Sequence, residues 1–169
     1  MKPLLIVDGY NVIGAWKEAA EERLTMDEAH DKLVHLLQDY GGYSGEEIVV
    51  VFDGYRSDRR TTTTEEHGAL TIVFTKHGET ADSYIERLVV QSPRYRTIRV
   101  ATSDGQIQTL ALGAGACRIT SKELLIEIRQ LRRTSFAAHE RTQSMNRNPL
   151  GARLPPSVQE ALERLRRGD

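Results

Sequence analysis

Two short apolar runs in this chain end in the same dipeptide. Leu4-Leu5-Ile6-Val7 is closed by Asp8-Gly9, and Ile48-Val49-Val50-Val51-Phe52 by Asp53-Gly54. An unbroken apolar run without polar alternation fits a strand buried on both faces, which points to a parallel sheet covered by helices. Leu70-Thr71-Ile72-Val73-Phe74 and Ile98-Arg99-Val100-Ala101-Thr102 are β-branched enough to be strands three and four, and Cys117-Arg118-Ile119 a short fifth. Between the first two, Thr25-Met26-Asp27-Glu28 has the form of a capping box, and Ala29, Leu33, Leu36 and Leu37 recur at helical spacing up to Gly41-Gly42, where the helix is expected to stop. Thr80 caps a helix carrying Tyr84, Ile85, Leu88 and Val89 that Ser92-Pro93 stops, and 106–112 reads as another, ended by Gly113. Strands alternating with helices at these lengths predict an α/β fold, a three-layer sandwich with a mainly parallel central sheet.

Outside this alternation the pattern changes. Residues 54–68 have no apolar period and read as an exposed, mobile loop. A helix over 122–133 points Leu124, Ile128 and Leu131 to the core and Arg129, Arg132 and Arg133 outward; 134–154 reads as an irregular arm, and Pro155-Pro156 starts a last amphipathic helix with Val158, Leu162 and Leu165. The expected organisation is one domain over 1–135, with a basic C-terminal arm and helix over 136–169. At 169 residues, 39% of them hydrophobic, one core suffices, and the lone Cys117 allows neither an internal disulfide nor a cysteine-cluster zinc site; it is expected to be a small buried hydrophobe. Asp8 cuts the first apolar run far short of a signal peptide or membrane span, so a cytoplasmic protein without a membrane partner is expected. The near-neutral net charge of −1 hides an asymmetry: residues 1–117 carry 12 basic and 18 acidic side chains, residues 118–169 carry 11 and 6. That asymmetry suits an acidic site beside a basic surface for a polyanion.

Ligands of open parallel sheets bind outside the carboxyl ends of the strands. Asp8, Asp53 and Asp104 end strands one, two and four, and Asp82 stands in the first turn of the helix after strand three, on the same edge. Each has a purely structural alternative: Asp8 and Asp53 precede glycine and can cap turns, Asp82 favours a helix start, and Asp104 can be an N-cap. Four carboxylates converging on one cleft would repel one another unless a cation neutralised them, and oxygen-only ligands favour Mg²⁺ or Mn²⁺ over zinc.

The blocks Leu-Ile-Val-Asp8-Gly9-Tyr10-Asn11-Val12-Ile13-Gly14, Val51-Phe52-Asp53-Gly54, Glu79-Thr80-Ala81-Asp82-Ser83 and Ala101-Thr102-Ser103-Asp104 together resemble the NYN domain of the PIN-like ribonuclease superfamily, in its bacterial YacP-like branch. The resemblance runs from residue 4 to about 135 with all blocks in order. It implies a metal-dependent endoribonuclease that cuts single-stranded RNA, mRNA in connection with translating ribosomes. Carried over, Asp8, Asp82 and Asp104 hold the metal, Asn11 orients Asp8 or a bound water, and Asp53 is a supporting or fourth ligand. Many relatives place another acid shortly after the residue matching Asp104, where this chain has Gly105-Gln106-Ile107-Gln108. That departure puts a filled second metal position in question.

The implied reaction is hydrolysis of a phosphodiester in which one or two Mg²⁺ or Mn²⁺ ions activate water and neutralise charge on the phosphorus oxygens. Arg56, Arg59 and Arg60 in the loop and Arg129, Arg132 and Arg133 on the helix are candidates for RNA backbone contacts, or else a solvated surface. Tyr10, Trp16, Tyr43 and above all Tyr55 offer faces for base stacking, and His67 and His77 sit near the same edge. Two other classes compete. One is an RNA- or ribosome-binding module with a weak or inactive nuclease site. The other is an aspartyl phosphatase, which expects a second acid two residues after Asp8, where this chain has Tyr10, and a lysine near the later strand ends.

Overall fold

A computed structural model describes residues 1–54 and 58–146, and for residues 136 and 139–146 the backbone alone. The elements run β1 (Leu4–Asp8), α1 (Gly9–Ala15), α2 (Lys17–Glu21), α3 (Met26–Ser44), β2 (Glu47–Phe52), β3 (Thr63–His67), β4 (Leu70–Phe74), α4 (Ala81–Gln91), β5 (Ile98–Ala101), α5 (Gly105–Gly113), β6 (Cys117–Ile119) and α6 (Ser121–Asn146). Met1–Arg132 is one unit, and α6 beyond it belongs to a second, Arg133–Asp169.

The sheet has the order β3-β4-β2-β1-β5-β6, every pair parallel except β3 with β4. Alternate side chains serve two cores. Leu5, Val7, Val50 and Phe52 face α1, α3 and α6 with Leu33, Leu37 and Leu124, while Leu4, Ile6, Val51 and Val100 face α4 and α5 with Ile85, Val89 and Ile107. Burial on both faces is why these strands read as continuous apolar runs. The expected three-layer sandwich is the fold found. After β1 the chain builds outward through β2 and β4, then α4 carries it back so that β5 pairs on the other side of β1. The switch in strand order therefore lies between the carboxyl ends of β1 and β5.

Several local expectations are corrected. Residues 54–68 are not all loop, because Thr63–His67 form the antiparallel edge strand β3, joined to β4 through Gly68 at φ 64°. Its residues are mostly exposed, so hydropathy carried no strand signal, although its threonines are β-branched. Helix α3 passes through Gly41 and Gly42 to Ser44, and Gly45, at φ 73°, supplies the left-handed turn that ends it. Helix α6 continues to Asn146, so 134–146 is not an irregular arm. An apolar period marks a packed face rather than helicity, and Ala137, Ala138, Arg141 and Gln143 are good helix formers. Cys117 is exposed on edge strand β6, not buried. Tyr55, Arg56 and the segment 147–169, with its expected Pro155-Pro156 helix start, lie outside the described residues.

At the amino end of the sheet, Arg99 of β5 ties three elements together. It meets Glu46 at 3.3 Å, Glu127 of α6 at 2.7 Å and the Tyr40 hydroxyl of α3 at 3.5 Å. Burial pushes the Tyr40 hydroxyl up to about 12. Among the described residues no helix is long and apolar enough to cross a membrane.

Candidate active site

The chain turns directly from β1 into α1, and Asp8 is both the last strand residue and the helix N-cap: its Oδ1 accepts the main-chain N–H of Asn11 at 3.4 Å. Gly9 makes this turn possible, because a Cβ there would stand 2.4 Å from Cε1 of the buried Phe52 ring. Asp8 Oδ2 accepts from the Thr102 hydroxyl at 3.4 Å, and the residue is only 8% exposed. Burial raises its carboxyl from 3.8 to about 6; the hydrogen bonds from Asn11 and Thr102 oppose the rise, and the charges of Asp82 and Asp104 add to it.

Across the switch point, Asp104 caps α5, with Oδ1 accepting from Gln106 N–H at 2.8 Å and Ile107 N–H at 3.3 Å. Thr102, fully buried, joins the two strand ends: its hydroxyl oxygen, which donates to Asp8, also accepts the Asp104 N–H at 3.1 Å. Asn11 acts through both its main chain and its side chain. Its main-chain N–H holds Asp8, while its side-chain Oδ1 accepts the Ser103 N–H at 2.9 Å and the Ser121 hydroxyl at 2.6 Å. One residue thus fastens the carrier of Asp8 to the carrier of Asp104 and to the start of α6.

Asp82 arrives from the third side, in the first turn of α4, which Thr80 caps through Ser83 N–H at 3.2 Å. Its carboxyl is raised by burial first, then by Asp104 and Asp53. Asp53 closes on the same helix start, where its Oδ2 accepts Ala81 N–H at 3.4 Å. Buried Thr75 braces this corner, accepting Gly54 N–H at 2.8 Å and donating to the Glu79 carbonyl at 2.7 Å, while the Glu79 carboxylate takes Thr62 at 2.8 Å and Arg87 at 2.7 Å. Thr75 and Ser121 stand outside the motif blocks quoted from the sequence, and Thr102 and Glu79 stand within them without an assigned role. The available signal was a threonine directly after an apolar strand, at 75 and at 102.

Asp8, Asp82 and Asp104 therefore lie within one another's electrostatic field, with Asp53 coupled to Asp82. Among the described residues no three carboxylates, histidines or cysteines come close enough to hold one ion between them. The donor chemistry fits a hard divalent cation. Such a cation commonly keeps several waters and takes only one or two carboxylates from the protein, the usual habit of Mg²⁺.

The basic candidates divide. Arg59 lies beside the site, its guanidinium 4.5 Å from the centre of the Phe74 ring and donating to Thr63 at 2.8 Å. Arg60 is exposed in the same segment. Arg129 pairs with Glu18 of α2, and Arg132 and Arg133 are exposed on α6. Of the aromatics, Tyr10 stays 38% exposed, Tyr43 is exposed on α3 and Trp16 is buried. His67 and His77 are exposed, and the His77 N–H donates to the Arg59 carbonyl at 2.8 Å.

The sequence matches the family described as the YacP-like NYN domain over residues 5–167. The chain belongs to that family. It is 35% identical over 169 residues to the Bacillus subtilis (strain 168) protein named "Uncharacterized protein YacP", covering 98% of each chain. Two crystal structures of Rae1 (YacP) from Bacillus subtilis share its fold. One has a TM-score of 0.67 and 33% identity, covering 100% of this chain and 97% of that one. The other, a tryptophan-to-leucine mutant, has a TM-score of 0.71 and 30% identity over 95% and 98%. The NYN domain is a PIN-like nuclease domain, which gives the YacP-like chain described here a nuclease-like, RNA-related character.

Proposed function

We propose that this chain is a metal-dependent endoribonuclease that hydrolyses phosphodiester bonds of single-stranded RNA, with mRNA presented on the ribosome as its target. The observation that carries the reading is Asp8: a carboxylate held almost out of water at the switch point, facing the charges of Asp82 and Asp104. A fold gains nothing from burying one carboxylate where two further carboxylates face it, so the burial of Asp8 supports a site that a cation completes. Asp8, Asp82 and Asp104 would hold Mg²⁺ or Mn²⁺ by one or two carboxylates at a time, with water completing the shell and Asp53 supporting Asp82. When bound, the cation supplies Lewis acidity toward water and the phosphate oxygens. The protein's own share is positional. Asn11 and Thr102 hold the Asp8 and Asp104 carriers in register, and Asp53 fixes the start of α4 and so the place of Asp82. Arg59, which lines a cleft with Asp53, and the exposed Arg60 next to it would meet RNA phosphates.

The test is cleavage of a long unstructured RNA by purified protein with Mn²⁺, with EDTA, and with Asp8→Asn and Asp82→Asn as contamination controls. Cutting that needs the metal and both aspartates supports the nuclease. Cutting that survives Asp82→Asn removes the ligand assignment. The second reading, an RNA- or ribosome-binding module, is favoured by the lack, among the described residues, of three metal-ligating side chains in one group, and by Gly105-Gln106-Ile107-Gln108 where the family resemblance implies a further acid. It predicts RNA or ribosome binding without cleavage, including on translating ribosomes.

A further inference from the structure

We propose that the cleft beside the acidic edge is a nucleobase subsite that takes an unstacked guanine from the RNA strand next to the phosphate that is cut. This rests on the nuclease reading and gives it a sequence preference. Helix α1 begins directly after Asp8, and Tyr10, two residues on, opens onto a cleft of about 350 Å³ lined also by Asp27, His30, Asp53, Arg59 and Phe74. That volume is at the small end of ligand pockets and suits one base with its sugar.

The wall of the cleft is aromatic and built on one buried ring. Phe52 takes the Tyr10 ring edge-on at 5.2 Å, packs against His30 at 4.4 Å and stacks with Phe74 at 5.4 Å. The Arg59 guanidinium covers the outer part of Phe74. Tyr10 is thus a π-face held in place from behind while more than a third of it remains open to solvent. Such faces accept any unstacked base, so they give affinity without sequence preference.

Preference comes from the polar groups of the same cleft. Asp27 and Asp53 are acceptors only. Guanine presents two adjacent N–H donors, N1–H and the 2-amino group, which a single carboxylate accepts together. Adenine and cytosine set one donor beside an acceptor, and uracil sets one donor between two acceptors, each of which a carboxylate repels. Asp53 already accepts Ala81 N–H, so the assignment falls on Asp27 in the first turn of α3. His30, on the wall of the same cleft, keeps its Nδ1 3.0 Å from Asp31.

The experiment is fluorescence anisotropy of the full chain in EDTA with labelled five-nucleotide RNAs: all uridine, uridine with a central guanosine, and uridine with a central inosine, which lacks only the 2-amino group. The guanosine RNA should bind at least about tenfold more tightly than the inosine RNA, the usual scale of one hydrogen bond to a charged group. Asp27→Ala should bring that ratio to about one without weakening the all-uridine affinity. Tyr10→Leu should weaken guanosine and inosine RNAs alike. Equal binding of the two RNAs by the unaltered protein, or discrimination that survives Asp27→Ala, overturns the subsite. Cleavage assayed with Mn²⁺ on the same preparations separates the two readings. Cleavage without base discrimination removes the subsite and keeps the nuclease, discrimination without cleavage does the reverse, and no binding to any of these RNAs overturns the subsite.

Discussion

Replacing Asp8 by Asn should make the metal-free protein more stable, and the gain should depend on pH in a calculable way. The amide keeps the oxygen that caps α1 and removes the charge that burial penalises. A carboxyl raised from 3.8 to about 6 binds protons more tightly in the folded state than in the unfolded one. Folding stability contributed by this group therefore falls as pH rises from about 4 to 6 and stays low above that. Between those limits the ionised folded state loses about 3 kcal/mol. Asp8→Asn should thus exceed the unaltered protein by about 3 kcal/mol at pH 8 and by only about 1 kcal/mol at pH 4.5. Urea unfolding in EDTA across that range measures the gap. Adding Mn²⁺ should then stabilise the unaltered protein alone, since ligand that binds only the folded state adds stability by mass action. A gap that does not change with pH, or an Asn variant less stable at pH 8, would refute the argument and leave Asp8 as an ordinary helix cap.

Other expectations can be checked in parallel. Arg99→Met leaves Glu46, 9% exposed, facing Glu127 without its cation, and should cost about 2–4 kcal/mol in urea midpoint while RNA cleavage at a permissive temperature is unchanged. Gly9→Ala drives a methyl into the Phe52 ring, so it should cost at least about 1–3 kcal/mol by calorimetry and lower cleavage as well, because Asp8 and Tyr10 flank it. Asn11→Ala frees the Ser103 N–H and the Ser121 hydroxyl while leaving the Asn11 main-chain bond to Asp8; it should raise the Mn²⁺ concentration needed for cleavage more than it lowers the melting temperature. An unchanged metal requirement would show that the junction serves the fold alone.

What could be read from the sequence follows from what each element buries. β1, β2, β4 and β5 lie between two helical layers and announce themselves as apolar runs, and Thr25 and Thr80 mark helix starts by a local hydrogen bond that needs no tertiary context. β3 holds its place through main-chain pairing at an edge, so its side chains left no hydrophobic trace. Gly41-Gly42 look like a stop, yet Gly45 is the residue that takes the left-handed turn. The acidic residues were legible because strand ends fix where Asp8, Asp53 and Asp104 must fall. The link between them was not, since Thr102 and the Asn11 side chain act across contacts 94, 92 and 110 residues apart. Neither could the aromatic cleft be assembled from spacing, because Tyr10, His30, Phe52 and Phe74 come from four elements.

The composition of β3 bears on how these molecules behave in a crowded solution. A sheet that ended at β4 would present Leu70–Phe74 as an apolar border, a template on which a second copy could extend the ladder. Instead the chain doubles back and closes that side with Thr63–His67, whose Glu65 and Glu66 are both exposed. Two copies approaching along this border would set acid against acid. The hairpin that the sequence disguised as a loop thus puts a charged strand where a bare apolar one would invite extension of the ladder.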